Sequence, residues 1–188
     1  MLDCETKTDV ELVKLVLGDQ DYFSCLMKRY ETKLLNYIRR ISNFPFEDAE
    51  DILQEVFIKV YHNLNGFDES FKFSSWIYSI THNEVISHFR KTKSRPQKFD
   101  LEIKDNILEN ILSDMNMEKD MDNNILREKI KSIFSDMNIK YREVLILKFI
   151  EGNDYNEISD IIKKPKGTVG TLINRAKKQF QEKFKGLK

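Results

Sequence analysis

Apolar side chains recur at intervals of three and four residues along nearly the whole chain. The pattern is clearest over residues 22–41 and 49–64. In the second stretch the apolar stripe consists of Ala49, Ile52, Leu53, Val56, Phe57, Val60, Tyr61 and Leu64. This interval matches the turn of an α-helix and not the two-residue alternation of a strand. Among 188 residues there are only 6 Gly and 3 Pro, too few for the many turns that a sheet needs. We therefore expect an all-α fold.

Interruptions of the helical pattern predict two small helical domains. Asn65-Gly66 ends one predicted helix, residues 67–74 are predicted to be a loop, and a further helix covers 75–91. Residues 96–124 are rich in Asp, Asn, Met and Glu and poor in aromatics, so we expect a flexible acidic linker with a possible transient helix. The predicted domains are therefore 1–95 and 125–188, with the linker between them.

The formal net charge of zero conceals alternating charged blocks. Residues 43–69 contain seven acids and one base, Lys59, whereas 72–98 contain six bases and one acid, Glu84. Residues 163–188 contain nine bases and one acid. Such blocks indicate two basic surfaces for nucleic acid and an acidic surface for another partner. The alternative is that they are solvated helix faces without a partner.

The C-terminal segment has the pattern of a helix-turn-helix. Asp154 precedes Glu157 by three residues, which is the spacing of a capping box, and a short helix over 155–163 follows. Residues 164–167 are predicted to be the turn. The second helix turns Val169, Ile173, Ala176, Phe180 and Phe184 inward. Its outward residues suit the major groove of DNA: Thr168, Thr171, Asn174, Arg175 and Lys178. A plain helical hairpin with a solvated basic face is the alternative.

A second candidate for DNA binding is the aromatic and basic segment 71–91. Aromatic residues alternate there with Lys72, Ser74 and Ser75, and the segment ends in Arg90-Lys91. Aromatic rings beside cations can stack on unpaired bases, although such rings are also common in protein cores.

The order of these segments resembles the extracytoplasmic-function (ECF) sigma factors of bacterial RNA polymerase. The stretch DAEDILQEVFIKVYHNL (48–64) is similar to their polymerase-binding helix. The stretch FSSWIYSITHN (73–83) is similar to their Trp-Leu-Tyr-x-Ile-Ala-x-Asn segment. Residues 141–178 follow the C-terminal pattern of the family, including Gly-Thr-Val and Arg-Ala.

The resemblance implies a polymerase-binding helix face and two promoter-binding surfaces. The β′ clamp coiled coil would be bound by Asp48, Asp51, Gln54, Glu55 and Ile58. The −10 element would be bound by Lys72, Ser74, Ser75, Trp76, Asn83, Arg90 and Lys91, with a flipped non-template base held by the loop 66–74. The −35 element would be bound by Lys166, Thr168, Thr171, Asn174, Arg175 and Lys178. The resemblance also implies contact with the polymerase β flap, a linker in the polymerase channel and control by an anti-sigma factor. A merely soluble spacer is the alternative for the linker.

Three positions depart from the family pattern. Trp76-Ile77 stands where housekeeping sigma factors have two adjacent tryptophans, which predicts weak intrinsic melting and strict promoter choice. Gly170 and Leu172 stand where the recognition helix often has basic residues, which shifts weight to Arg175, Lys166 and Lys178. His82 stands at a position that is often small or apolar, and nothing in the sequence explains it.

Other classes of protein are disfavoured. The chain has no phosphate-binding glycine loop, nucleophile motif or metal-ligand pairing among its three histidines, so we expect no catalytic function, metal or cofactor. No apolar run approaches a membrane span, which predicts a cytoplasmic protein without membrane insertion. Cys4 and Cys25 are far apart in sequence and are expected to be free thiols. A stand-alone helix-turn-helix regulator is the second candidate function, but it leaves the acidic helix and the Trp76 segment unexplained.

Overall fold

The structure is a computed structural model, and it describes residues 4–91, 105–114 and 122–186. Every regular element within these ranges is helical, which confirms the expected all-α fold. The chain divides into two compact units, the first drawn mainly from residues up to Ser94 and the second mainly from Arg95 onwards. Most of the predicted linker, 96–104 and 115–121, lies outside the described residues.

The first unit contains four α-helices. They are α1 (Asp9–Gly18), α2 (Phe23–Ser42), α3 (Phe46–Asn63) and α4 (Phe73–Lys91), with 3-10 turns at Gln20–Tyr22 and Leu64–Gly66. The predicted stripes of α2 and α3 form its core, with fully buried side chains at Leu26, Leu34, Tyr37, Ile38, Ala49, Val56 and Val60. Tyr61 was expected in the stripe of α3 but is 36% exposed. It lies near the end of α3, where its ring meets the edges of Phe23, at a centroid distance of 5.1 Å, and of His62, at 5.9 Å.

The N-terminal segment is bound to α2, and this overturns the prediction of free cysteines. Cys4 and Cys25 form a disulfide, with Cα atoms 5.3 Å apart across 21 residues of sequence. Arg29 on α2 donates hydrogen bonds to the backbone oxygens of Cys4 at 2.7 Å and Lys7 at 2.8 Å. The chain before α1 therefore doubles back onto α2, which sequence spacing does not reveal.

The second unit contains five α-helices and one π-helical turn within the described ranges. They are α5 (Asp105–Asp114), α6 (Asn123–Asp136), α7 (Ile139–Leu145), the π-helical turn Ile146–Ile150, α8 (Tyr155–Ile162) and α9 (Lys166–Gly186). Its core is formed by fully buried apolar side chains, among them Leu126, Ile130, Phe134, Leu147, Ile158, Ile173 and Phe180.

Helix α5 lies inside the predicted linker. It packs against the π-helical turn, with Leu108 and Ile111 fully buried. Asp114 at its end pairs with Lys177 of α9. The helix that the sequence left as a possibility in the linker is therefore present at 105–114. It is packed and not transient, because its apolar side has a partner surface in the second unit.

Candidate nucleic-acid interface

The first helix of the helix-turn-helix, α8, begins with the predicted capping box. The Asp154 carboxylate accepts hydrogen bonds from the backbone N–H groups of Asn156 at 2.7 Å and Glu157 at 2.9 Å. In return, the Glu157 carboxylate accepts from the Asp154 N–H at 2.7 Å. These bonds satisfy N–H groups that have no partner inside the helix, and they set the point where α8 begins.

The turn between the two helices is shorter than predicted. Lys163 has a left-handed backbone with φ of 51°, and the Ser159 hydroxyl donates to the Lys164 carbonyl at 2.6 Å. The Pro165 carbonyl then accepts from the N–H groups of Thr168 at 2.8 Å and Val169 at 3.0 Å. Helix α9 therefore begins at Lys166, and residues 166–167 belong to its first turn and not to the connection.

Helix α9 has a buried side and an exposed basic side. Val169, Ile173, Ala176 and Phe180 are buried as predicted, whereas Phe184 is half-buried beneath the Lys129 ammonium, 4.1 Å from its ring centroid. All six residues predicted to bind the −35 element are exposed, namely Lys166, Thr168, Thr171, Asn174, Arg175 and Lys178. Donors at the start of a helix followed by cations can serve base edges and phosphates.

Gly170, one of the departures from the family pattern, lies on the side of α9 that meets α8. A Cβ added there would lie 3.7 Å from Cε1 of Tyr155, which is an ordinary van der Waals contact. Leu172 is half-buried. The basic side of α9 is therefore carried by the exposed Arg175, Lys166 and Lys178.

Helix α3 presents the predicted acidic face. Asp51, Gln54, Glu55 and Ile58 are all exposed, and Ile58 retains 51% of its accessible surface. Asp48, in the first turn, is half-buried. Residues 51, 54, 55 and 58 share one side of the helix, and the opposite side is packed in the core. This face therefore offers two carboxylates followed by one apolar side chain.

The loop before α4 contains a tight turn at Asp68. Its carboxylate accepts a hydrogen bond from the Ser70 N–H at 2.9 Å, which lowers the pKa of Asp68 below its ordinary value of 3.8. Helix α4 begins at Phe73, two residues before the predicted start, so Ser74 and Ser75 lie in its first turn. Ser75 is 1% exposed, and the structure therefore removes it from the accessible part of the −10 set.

The aromatic residues of this segment divide between the core and the surface. Phe67, Phe73 and Trp76 form a cluster with ring centroids 5.4–5.5 Å apart. Phe73 and Tyr78 are buried, Trp76 is half-buried, and Phe71 is 45% exposed. Core packing therefore accounts for Phe73 and Tyr78, whereas stacking on unpaired bases stays a prediction for the more accessible Trp76 and Phe71.

A groove between α3 and α4 brings together predicted and unpredicted residues. Trp76 and Asn83 line it beside Lys59, Asn63 and Glu84. Glu84 is 8% exposed and pairs with the Lys59 ammonium, while the Asn63 amide donates to the Lys59 carbonyl at 2.7 Å. Lys72, Asn83, Arg90 and Lys91 are exposed. Sequence reasoning missed Lys59 and Asn63, although Lys59 and Glu84 are each the one residue of opposite sign in their charged blocks.

The described part of the chain shows neither a metal site nor a membrane-spanning helix. It contains no group of His, Cys, Asp and Glu side chains arranged to hold a metal ion. None of its helices combines the length and the apolar character needed to cross a membrane.

Comparison with known proteins identifies both halves of the chain. Residues 26–95 match the family model of Sigma-70 region 2, and residues 127–180 match that of Sigma-70, region 4. The ECF RNA polymerase sigma factor SigW of Bacillus subtilis (strain 168) is 33% identical over 176 residues, which cover 90% of this chain and 92% of that protein. The chain belongs to the ECF sigma factors. The ECF RNA polymerase sigma-E factor of Escherichia coli (strain K12) is 30% identical over 97% of each sigma factor.

Solved structures agree on the fold. CnrH, solved in complex with the cytosolic domain of CnrY, has a TM-score of 0.69 at 20% identity and covers 96% of this sigma factor and 99% of that chain. The sigma factor RpoE of Bartonella quintana, solved with the anti-sigma factor NepR, has a TM-score of 0.64 at 18% identity and covers 88% and 98%. The family matches and the sequence relatives show that the protein functions in promoter-specific initiation of transcription, and these relatives are sigma factors and not enzymes. Helix α5 lies between the two family matches.

Proposed function

We propose that this sigma factor binds the β′ clamp of core RNA polymerase through α3 and recognises promoters through α4 and α9. The observation that carries the proposal is the exposure of two helix faces of opposite character. Asp51 and Glu55 lie on the same exposed face of α3 as Ile58, whereas Arg175 and Lys178 extend along α9. An acidic face with an apolar centre suits a basic helical partner, and a basic recognition helix suits DNA.

The proposed domain roles follow from these faces. Residues 1–95 would bind the clamp and the −10 element, 96–124 would link the two domains, and 125–188 would bind the −35 element and the β flap. The protein would act in the cytoplasm without catalysis of its own, since polymerase performs the chemistry.

The proposed −10 site is the groove between α3 and α4 together with the loop before α4. Trp76 is half-buried and can stack on one face of an unpaired base, while Asn83 offers hydrogen bonds at the groove edge. Lys72, Arg90 and Lys91 would contact phosphates. Flipping a base costs on the order of a few kcal/mol, which stacking and pocket hydrogen bonds must offset. The lack of a second tryptophan at Ile77 supports weak intrinsic melting.

The proposed −35 site is the exposed side of α9. Arg175 is the residue assigned to a base edge, since its guanidinium can donate two parallel hydrogen bonds to guanine. Lys166 and Lys178 are assigned to phosphates, and Thr168, Thr171 and Asn174 to neighbouring polar contacts.

Control by an anti-sigma factor is part of the proposal. CnrH was solved with the cytosolic domain of CnrY, and the Bartonella sigma factor was solved with the anti-sigma factor NepR. A partner of this kind would cover the clamp-binding and DNA-binding faces. Affinity purification of the tagged chain from its own cells should recover such a partner, and a protein that is active in every growth condition would contradict this control.

The decisive experiment combines run-off transcription with footprinting. Core polymerase with the purified chain should initiate at discrete sites on the genomic DNA of its source, and sequencing the transcript ends would yield the promoter. If core polymerase initiates nowhere, while the chain alone protects an operator, the protein is a stand-alone helix-turn-helix regulator.

A further inference from the structure

The disulfide between Cys4 and Cys25 closes a strap across the first unit. Besides this bond, the strap is held by Arg29, whose guanidinium donates to Cys4 O, to Lys7 O and, at 2.7 Å, to the Asp9 carboxylate. The Tyr30 hydroxyl donates to the other oxygen of Asp9 at 2.5 Å. The segment from Cys4 to Asp9 is therefore aligned along α2 by polar contacts that do not depend on the sulfur atoms.

The strap (residues 4–9) leads directly into α1. This helix supports residues 67–72, the loop before α4, which we call the −10 loop. Leu12, Val13 and Val16 bury one side of α1, and this helix packs against α4 and the 3-10 turn at Leu64–Gly66. On its outer side, Lys14 pairs with Glu69 of the loop at 2.9 Å. A bond that holds the start of α1 in place therefore also restricts the motion of the −10 loop, which is part of the proposed −10 site.

We propose that Cys4 and Cys25 are a reversible oxidation site that responds to low-molecular-weight disulfides and controls the order of α1 and the −10 loop. The inference rests on the proposed function in one respect, since a sigma factor works with polymerase in the reducing cytoplasm. Disulfides in that compartment are usually transient and redox-sensing, whereas permanent ones belong to oxidising compartments. Because polar contacts align the strap along α2, Cys4 is held close to Cys25, and the disulfide can form when the compartment becomes oxidising.

The accessibility of the two sulfurs sets the order of the reaction. Cys4 is half-buried, whereas Cys25 is 1% exposed. The Cys4 thiolate would attack a disulfide RSSR, forming a mixed disulfide and releasing RS⁻. The Cys25 thiolate would then attack the Cys4 sulfur and release the second RS⁻. The protein loses two electrons and two protons in total, and RSSR is reduced to two RSH.

The structural consequence is a change in local opening. With the bond formed, residues 4–25 are a closed loop and α1 has few ways to leave α2 and α4. With the bond reduced, the contacts of Arg29 and Tyr30 and the buried side of α1 still oppose opening, but the covalent link is lost. We therefore expect amide hydrogen exchange in α1 and in residues 67–72 to slow by about tenfold on oxidation.

The test uses the full-length chain equilibrated in glutathione buffers of increasing glutathione disulfide content. Alkylation followed by intact mass measurement counts free thiols, and hydrogen exchange with peptide resolution follows α1 and the loop. Oxidation should remove both free thiols, slow exchange at those two places and be reversed by reduced glutathione. Cys4→Ser should show no response to glutathione disulfide beyond a single mixed disulfide, while matching reduced wild-type protein in exchange.

Three results would overturn the proposal. They are thiols that remain alkylatable in the most oxidising buffer, a bond that reduced glutathione cannot open, and unchanged exchange in α1 and the loop despite complete oxidation. Cys25→Ser is a second variant that cannot form the disulfide. Cys4→Ser is preferred, because Cys25 is buried in the core and its substitution changes core packing. Core polymerase binding is measured on the same reduced samples. A failure there would count against the proposed function, whereas the thiol and exchange results would still decide the oxidation site.

Discussion

Lys59 of α3 and Glu84 of α4 form an ion pair across the groove that also contains Trp76 and Asn83. The Glu84 side chain is only 11% exposed, whereas that of Lys59 is 49% exposed. Lys59 is the one base in the acidic block 43–69, and Glu84 is the one acid in the basic block 72–98. The pair therefore joins α3, the helix proposed to bind polymerase, to α4, the helix proposed to bind the promoter, and its two residues are the ones that break the charge pattern.

Removing one partner of this pair should destabilise the first unit. Lys59→Met leaves the nearly buried Glu84 carboxylate without its cation and should cost about 1–3 kcal/mol. The double variant Lys59→Met with Glu84→Gln should recover part of the loss, because no uncompensated charge remains. Urea unfolding followed by Trp76 fluorescence measures this, since Trp76 is the one tryptophan of the chain and reports on the first unit. If the changes in the free energy of unfolding of the two single variants add up to that of the double variant, Lys59 and Glu84 are not energetically coupled.

Charge reversal on the acidic face of α3 should abolish polymerase binding without unfolding the protein. In Asp51→Lys with Glu55→Lys, both changes lie on exposed positions, so the core is untouched while the face turns basic. We expect at least about a hundredfold loss of affinity for core polymerase, measured by size exclusion or fluorescence anisotropy. The matched control Glu5→Lys with Glu31→Lys makes the same charge change at exposed positions elsewhere and should bind normally. Normal holoenzyme formation by the first variant would remove α3 as the clamp-binding helix.

Gly170→Ala should stabilise the second unit. A methyl group at that position would lie 3.7 Å from Cε1 of Tyr155, an ordinary van der Waals contact. In a helix interior, alanine is more stable than glycine by about 1 kcal/mol. We expect a Tm increase of about 3–6 °C for the second unit by calorimetry, with −35 affinity unchanged. Gly152→Ala provides a control of opposite sign, because Gly152 has φ of 74° and a Cβ there is strained. A gain from both changes would show that helix propensity is not the cause.

Arg175 and Lys178 should differ in what their removal does to promoter binding. Arg175→Ala should weaken holoenzyme binding by about 1–3 kcal/mol on the mapped promoter and lose discrimination at one −35 base pair. Lys178→Ala should weaken binding on all sequences alike and reduce the slope of log K against log salt by about 0.9. Affinities on matched and single-substituted promoters over a range of salt concentrations separate the two. Equal losses of sequence specificity in both variants would contradict the assignment of Arg175 to a base edge and Lys178 to a phosphate.

Features that lie within one or two helical turns were predictable from the sequence. The spacing of Asp154 and Glu157 predicted a capping box, and the bonds form as expected. The spacing of residues 51, 54, 55 and 58 predicted their common exposed face. Both depend only on helix geometry, which a local pattern specifies once the helix forms. Their roles in binding stay predictions.

Helix ends and the linker needed the packed structure. Helix α4 begins at Phe73, two residues before the predicted start, and the Phe73 ring packs against Phe67 and Trp76. Helix α5 is weakly apolar as a sequence, and it packs against the π-helical turn Ile146–Ile150 with Leu108 and Ile111 fully buried. Short helices depend on tertiary partners for most of their stability, so a local pattern underestimates them.

The sequence by itself therefore determined the all-α class, the helix-turn-helix and the faces of opposite charge, because helical periodicity repeats within a few residues. Only the tertiary structure decided that Cys4 meets Cys25, 21 residues away, and that Lys59 meets Glu84, 25 residues away. Contacts at such separations depend on the directions in which helices leave their turns. Those directions are set by the burial of side chains from several helices at once, and no local pattern encodes them.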